Sequence, residues 1–103
     1  MSPIIYNVTT KVTHAVHKDW LAWLKQTHIP QIINTGCFSK AVILKLIQVD
    51  ETDGVTYAVQ YYAATTAAYN TYEARFAAEI EQHVFDKWGG QTLFFATLME
   101  VVN

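Results

Sequence analysis

The run Phe38-Ser39-Lys40-Ala41-Val42-Ile43-Leu44-Lys45-Leu46-Ile47-Gln48-Val49, the acidic segment Asp50-Glu51-Thr52-Asp53-Gly54 and the run Val55-Thr56-Tyr57-Ala58-Val59-Gln60-Tyr61-Tyr62-Ala63 decide the fold. Both runs are rich in β-branched and aromatic side chains, which suit a pleated, half-buried surface. Asp-Gly between two such runs is a strong hairpin signal. The reading is two antiparallel strands joined by an acidic turn, and what flanks them fixes the topology.

Upstream, Ile4, Tyr6, Val8 and Val12 alternate with Asn7, Thr9 and Lys11, a strand pattern. Thr13 is placed to cap a helix from His14, its hydroxyl accepting from a free amide of the first turn. Taking His17 as reference at 100° per residue, Trp20, Leu21, Leu24 and His28 fall within about 60° of it, while Lys18, Asp19, Ala22 and Gln26 point away. Pro30 has no amide proton, so this helix should end or kink near His28 or Ile29. A further turn carrying Ile32 and Ile33 stops before Gly36, which suits a left-handed cap.

Downstream, Thr65 or Thr66 can cap a second helix. Its Tyr69, Tyr72, Phe76, Ile80 and His83 share a face, opposite Arg75, Ala78, Glu81 and Gln82, and Gly89-Gly90 stops it. A last strand covers residues 92–102. Strand, helix, two strands, helix, strand is the split-βαβ order, and right-handed crossovers make it fold one way. The expectation is an α+β ferredoxin-like βαββαβ sandwich occupying residues 1–103 as one domain. It has a four-stranded antiparallel sheet with two helices on one face.

A sheet covered on one side should be polar on the other. Here Ala41, Ile43, Ile47 and Val49 alternate with Val42, Leu44 and Leu46, and Leu93, Phe95 and Met99 alternate with Phe94, Leu98 and Val102. Charged residues make up 16% of the chain, against about 25% in typical soluble domains. Both observations ask for a second covering layer, and a homodimer supplies it most simply. Burying ~600 Å² of apolar area per partner contributes on the order of 15 kcal/mol before the costs of association.

The seven basic and nine acidic residues are scattered and give a net charge of −2. That excludes the basic stripe of a nucleic-acid binder and the cluster that reads anionic membranes. No apolar run approaches the ~20 residues of a membrane span. Cys37 is the lone cysteine, so no internal disulfide can form, and residues 1–5 lack signal-peptide character; the expected compartment is the cytoplasm. No Gly-rich phosphate loop, nucleophile elbow or Cys-x-x-Cys occurs, and no cofactor is implied.

Taken together, Ile4-Ile5-Tyr6-Asn7-Val8-Thr9, Trp20-Leu21-Ala22-Trp23, His28-Ile29-Pro30, Thr35-Gly36-Cys37-Phe38, Tyr57-Ala58-Val59-Gln60-Tyr61, Phe85-Asp86-Lys87-Trp88-Gly89 and Thr97-Leu98-Met99-Glu100-Val101 resemble, nearly end to end, a family of small bacterial proteins classed as a domain of unknown function. That family looks like part of the dimeric α+β barrel superfamily, whose relatives include antibiotic-biosynthesis monooxygenases, EthD-like proteins and stress-responsive barrel proteins. The resemblance implies a homodimer (a dimeric α/β barrel) with its sheets back to back, and a ligand-sized cavity between sheet and helices. Relatives include cofactor-free oxygenases, isomerases and haem proteins, so the resemblance assigns no reaction.

Within such a cavity His28 is the candidate catalytic group. It ends the first helix on the face of Leu21 and Leu24, and His28-Ile29-Pro30 is similar to the His-x-Pro segment of EthD-like proteins. A neutral imidazole in a half-buried cavity can act as base or hydrogen-bond donor near neutral pH. Trp20, Leu24, His28, Tyr72 and Phe76 are the candidate ligand-binding residues, with Trp23, Tyr69 and Trp88 beside them. Gln60 and Tyr62 join that set with one question open: they alternate with Val59 and Tyr61, so one pair faces the cavity and the other the dimer. Glu73 is the carboxylate placed on the inner face of the second helix; buried, it could work as an acid with His28, but its expected place is in solvent at the rim.

His14-x-x-His17 has a spacing that can share a metal, but no further ligand accompanies it, and a working site needs three or four. His17 and His28 lie about 16 Å apart along the helix and cannot share an ion. No metal is expected. The function implied is binding of a small apolar or aromatic molecule. The alternatives are a cofactor-independent monooxygenase- or isomerase-like enzyme using His28, and a non-catalytic structural or interaction module whose aromatics are core.

Overall fold

The computed structural model describes residues 2–103. Strands β1 (Ile4–Val12), β2 (Lys40–Lys45), β3 (Val55–Ala63) and β4 (Thr92–Glu100) form one antiparallel sheet in the order β2-β3-β1-β4. Strand β1 is paired along its whole length on both sides, from Ile4↔Ala63 to Val12↔Val55 and from Ile4↔Glu100 to Val12↔Thr92. The helical segments are α1 (His17–Trp23), α2 (Ile29–Ile33), α3 (Thr66–Arg75) and α4 (Ala77–Trp88). This is the ferredoxin-like βαββαβ arrangement.

Side chains alternate strictly along a strand, so one contact fixes the parity of the whole sheet. The Tyr6 ring lies 5.5 Å from Tyr69 and 5.6 Å from Tyr72 of α3, and 6.0 Å from Tyr61 of β3. Tyr6, Val8, Thr10 and Val12 therefore face the helices, together with Val55, Tyr57, Val59 and Tyr61, and Ala41 and Ile43 across the ladder. The opposite, open face carries Asn7, Thr9, Thr56 and Gln60 at its centre. Its outer strands present Val42 and Leu44 on β2, and Leu93 and Phe95 on β4. The expectation of two apolar faces is thus corrected: the open face is apolar along its outer strands and polar along the middle two. Strand β4 also exposes Leu98 on the helix side, because it is an edge strand.

The long run after Phe38 leaves the sheet earlier than its β-branched content suggests. Strand β2 ends at Lys45; the Leu46 amide still donates to the Thr56 carbonyl, but Gln48 turns into the left-handed region at φ 58° and Ile47 is exposed. Asp53-Gly54 does not make a tight two-residue hairpin. Gly54 is needed for another reason: a Cβ there would sit 2.2 Å from the Val12 carbonyl oxygen.

Both helical stretches are segmented, the first because of Pro30. Pro30 cannot donate to the carbonyl four residues back. The preceding turn widens into a π-helical segment, Leu24–His28, in which the Ile29 amide reaches back five residues to the Leu24 carbonyl. The helix starts at His17 rather than His14, and Thr13 donates its hydroxyl to Gln91 Oε1 (2.6 Å) instead of capping it. Thr65 does cap α3, accepting from the Ala68 amide at 3.1 Å. The second stretch breaks at Phe76, which leaves helical geometry at φ −126°. Gly36, at φ 80°, supplies the left-handed residue after α2.

Candidate functional site

Between the covered face of the sheet and the helices lies a cleft. Tyr6, Val8 and Thr10 of β1 and Val59 and Tyr61 of β3 form its floor. Trp20, Trp23, Leu24 and His28 come from the first helical arm, and Tyr72, Ile80, Glu81 and Val84 from the second, with Phe94 of β4 at one side. It encloses about 500 Å³ with its mouth included, yet only about 40 Å³ of that is wide enough for water-sized occupants. A closed cavity of a few hundred Å³ is therefore not preformed; the aromatic rings hold the cleft narrow.

The π-helical turn decides where His28 sits. Its ring stacks on Trp23 with centroids 4.5 Å apart and planes inclined by 21°. Its Nδ1 is buried and has no hydrogen-bond partner among the described residues. Burial disfavours the cationic form, and the imidazole pKa is pushed down to about 4. Trp88 approaches Trp23 edge-on at 5.6 Å, and its indole Nε1 is likewise buried without a partner. Native proteins leave few buried polar groups unpaired, so two beside one tryptophan call for an explanation.

Three tyrosines add to this. The hydroxyls of Tyr6, Tyr61 and Tyr72 are held well above the ordinary phenol range, chiefly by burial; the Glu81 carboxylate adds to the shift of Tyr6 and Tyr72. They stay protonated, which leaves each hydroxyl able to donate a hydrogen bond. By contrast, Tyr69 is tied down, donating to Glu73 at 3.2 Å.

Of the residues singled out from sequence, Trp20, Leu24, His28 and Tyr72 are brought together in this cleft. Gln60 and Tyr62 are not: the register of β3 sends them to the open face, where Tyr62 lies under the Lys40 ammonium at 4.5 Å. Phe76 is also displaced. It occupies the break between α3 and α4 and packs on the core, with Arg75 5.7 Å from its ring. Glu73 is exposed, as expected of a carboxylate at the rim. His83 is exposed too, 3.9 Å from Glu79 and accepting from Gln31 at 3.2 Å.

The break at Phe76 is the cause of the corrections within α4. It resets the helical phase, so that Ala77, Ile80, Val84 and Trp88 form the inner stripe of α4. That brings Glu81 to the mouth of the cleft, although continuous periodicity places it outside. Val84 replaces His83 for the same reason.

No group of three His, Cys, Asp or Glu side chains among the described residues is placed to hold a metal ion. His14 Nε2 lies 2.7 Å from the Glu51 carbonyl and His17 Nε2 lies 2.6 Å from the Tyr57 hydroxyl, so the two histidines turn to different partners. Cys37 is buried. Among the described residues, no helix is long and apolar enough to cross a membrane.

Comparison with solved structures shows the fold. A dimeric ferredoxin-like protein from an uncultured marine organism superposes with a TM-score of 0.76 at 10% identity, covering 100% of this chain and 98% of that one. A dabb-family protein with a ferredoxin-like fold from Mesorhizobium loti gives 0.69 at 17% identity, with 100% of both chains covered. A monooxygenase of Streptomyces coelicolor, solved in complex with the ligand nanaomycin D, gives 0.68 at 15% identity, covering 99% of this chain and 89% of that one. No curated protein matches the sequence. The sequence pattern of the family described as Domain of unknown function (DUF4286) matches residues 3–102, and the chain belongs to that family.

Proposed function

We propose that this member of the family binds a small apolar or aromatic molecule in the cleft between its sheet and helices, and does so as a homodimer. The observation that carries the binding reading is the unpartnered Nδ1 of His28, a residue of the cleft wall that Tyr6, Tyr61 and Tyr72 also line, three tyrosines whose hydroxyls are bonded to no other described residue. Donors and acceptors left open on an otherwise apolar surface fix the orientation of a ligand. The Streptomyces coelicolor neighbour, solved with nanaomycin D, supports small-molecule binding on this fold.

His28 is the acid–base group available for chemistry. Being neutral at physiological pH, it can accept a hydrogen bond from a bound molecule, and a cofactor-independent oxygenase- or isomerase-like role requires a ligand whose charge or hydrogen bonds raise its basicity, because burial opposes the imidazolium. The narrowness of the cleft favours a second reading, a non-catalytic module in which the aromatics are simply core. Thermal-shift screening against neutral aromatic metabolites separates the two, because a ligand at 100 times its Kd stabilises the fold by ~2.7 kcal/mol. The binding reading expects hits that weaken in Trp20→Ala and His28→Ala. A broad panel without hits supports the module.

Dimerisation is supported by the exposed Leu93 and Phe95 of β4 and Leu44 of β2, which flank a polar centre on the open face. Two such faces apposed bury the outer strands against each other and enclose Asn7 and Gln60 between them. The lone buried thiol of Cys37 is consistent with a reducing compartment, the cytoplasm.

A further inference from the structure

We infer that Glu81 makes the cleft selective by charge, admitting neutral or cationic aromatic molecules and rejecting anionic ones. The inference rests on the binding reading above and specifies what that site takes. Among the described residues, Glu81 is the charged side chain that lines the cleft, and it does so at the exposed mouth. It has no ion-pair partner there, since the ion pairs found are Lys45 with Glu51 and His83 with Glu79.

The cations held against aromatic rings are placed elsewhere. Lys87 lies over the Trp88 ring at 5.3 Å, Arg75 over Phe76 at 5.7 Å and Lys40 over Tyr62 at 4.5 Å, and none of the three lines the cleft. His28 is buried against Trp23 and carries no positive charge at neutral pH. A carboxylate or phosphate entering the cleft would lose water to apolar walls, meet no cation and face the Glu81 carboxylate.

A neutral carbonyl or hydroxyl oxygen fares differently. The protonated hydroxyls of Tyr6, Tyr61 and Tyr72 can donate to it without any charge being buried. A cationic group at the mouth gains the attraction of the Glu81 carboxylate. The walls thus accept an aromatic body, and the mouth decides its charge.

Three probes with one ring and different charge test this: benzyl alcohol, benzylammonium and benzoate, titrated at neutral pH and low salt into ¹⁵N-labelled protein. The indole N–H signals of Trp20 and Trp23 report binding in the cleft. Wild type should bind benzylammonium and benzyl alcohol about tenfold or more tightly than benzoate, as expected for a full charge within a few ångströms of a half-solvated carboxylate. Glu81→Gln should bring the three within about threefold, and high salt should narrow the gap in wild type, because the carboxylate is exposed. Glu81→Lys should reverse the order. Benzoate binding as well as benzyl alcohol in wild type, or an unchanged order in Glu81→Gln, overturns the inference. Silence of both indoles to all three probes overturns the binding reading itself, an outcome distinct from a wrong order.

Discussion

Tyr61 and Tyr62 are neighbours in β3 and sit on opposite faces of the same sheet. Tyr61 is 1% exposed, packed between Tyr6 and Phe38 on the floor of the cleft. Tyr62 is half-buried on the open face under Lys40. The covered face surrounds a narrow apolar cleft whose wall includes His28 with its unpaired Nδ1; the open face keeps a polar centre and exposes apolar residues along its edges. The first is the face proposed to hold a small molecule, the second the face proposed to meet a second sheet. One residue of register separates the two roles.

The largest effect expected from breaking this contrast is Tyr61→Ala, which empties a fully buried site and should cost about 3–5 kcal/mol in urea unfolding. A loss below about 1 kcal/mol would mean the covered face is not the core. Next is the acid sensitivity of His28. Its folded pKa, about 4, lies below the unfolded value near 6.5, so the unfolded chain takes up the proton first. The stability is fully present above about pH 6.5 and is lost as pH falls towards 4, by about 3 kcal/mol from this residue alone. His28→Phe should flatten that part of the pH–stability curve; an unchanged slope would show that the imidazole is not buried neutral.

On the open face, Phe95→Lys should weaken self-association about thirtyfold in sedimentation equilibrium, by placing a charge in the apolar flank, while protomer stability changes by less than about 0.5 kcal/mol. An unaltered association constant would place the contact elsewhere. The smallest effect is Tyr62→Ala. It loses the Lys40 contact, worth about 0.5–1 kcal/mol, and should leave probe binding in the cleft unaffected.

The element order was legible because each signal had a local cause: alternation in β1, the Thr65 cap, the Gly36 stop. The parity of β3 was not. The strand alternates apolar Val55, Tyr57, Val59 and Tyr61 with polar Thr56 and Gln60, but a sheet expected to be buried on both faces takes either parity inward, and the pairing of Tyr61 with Tyr6 across the ladder settles it. His28 could be found from sequence because Pro30 marks the helix distortion beside it, although the widened π turn could not. Glu81 was missed for a different reason. Periodicity carried unbroken through Phe76 assigns it to the solvent face, yet Ala77, Ile80, Val84 and Trp88 already spell a second stripe with its own phase. A break in a helix without Pro or Gly leaves no stronger mark than such a shift.

The assignment of one face to a ligand and the other to a second copy is tested most directly by intermolecular NOEs from benzyl alcohol to the labelled protein. Contacts to the ring protons of Trp20, Tyr72 and His28, with none to Leu93 or Phe95, are the predicted result. Contacts confined to Leu93 and Phe95 would contradict it, because the small molecule would then occupy the face assigned to the second copy.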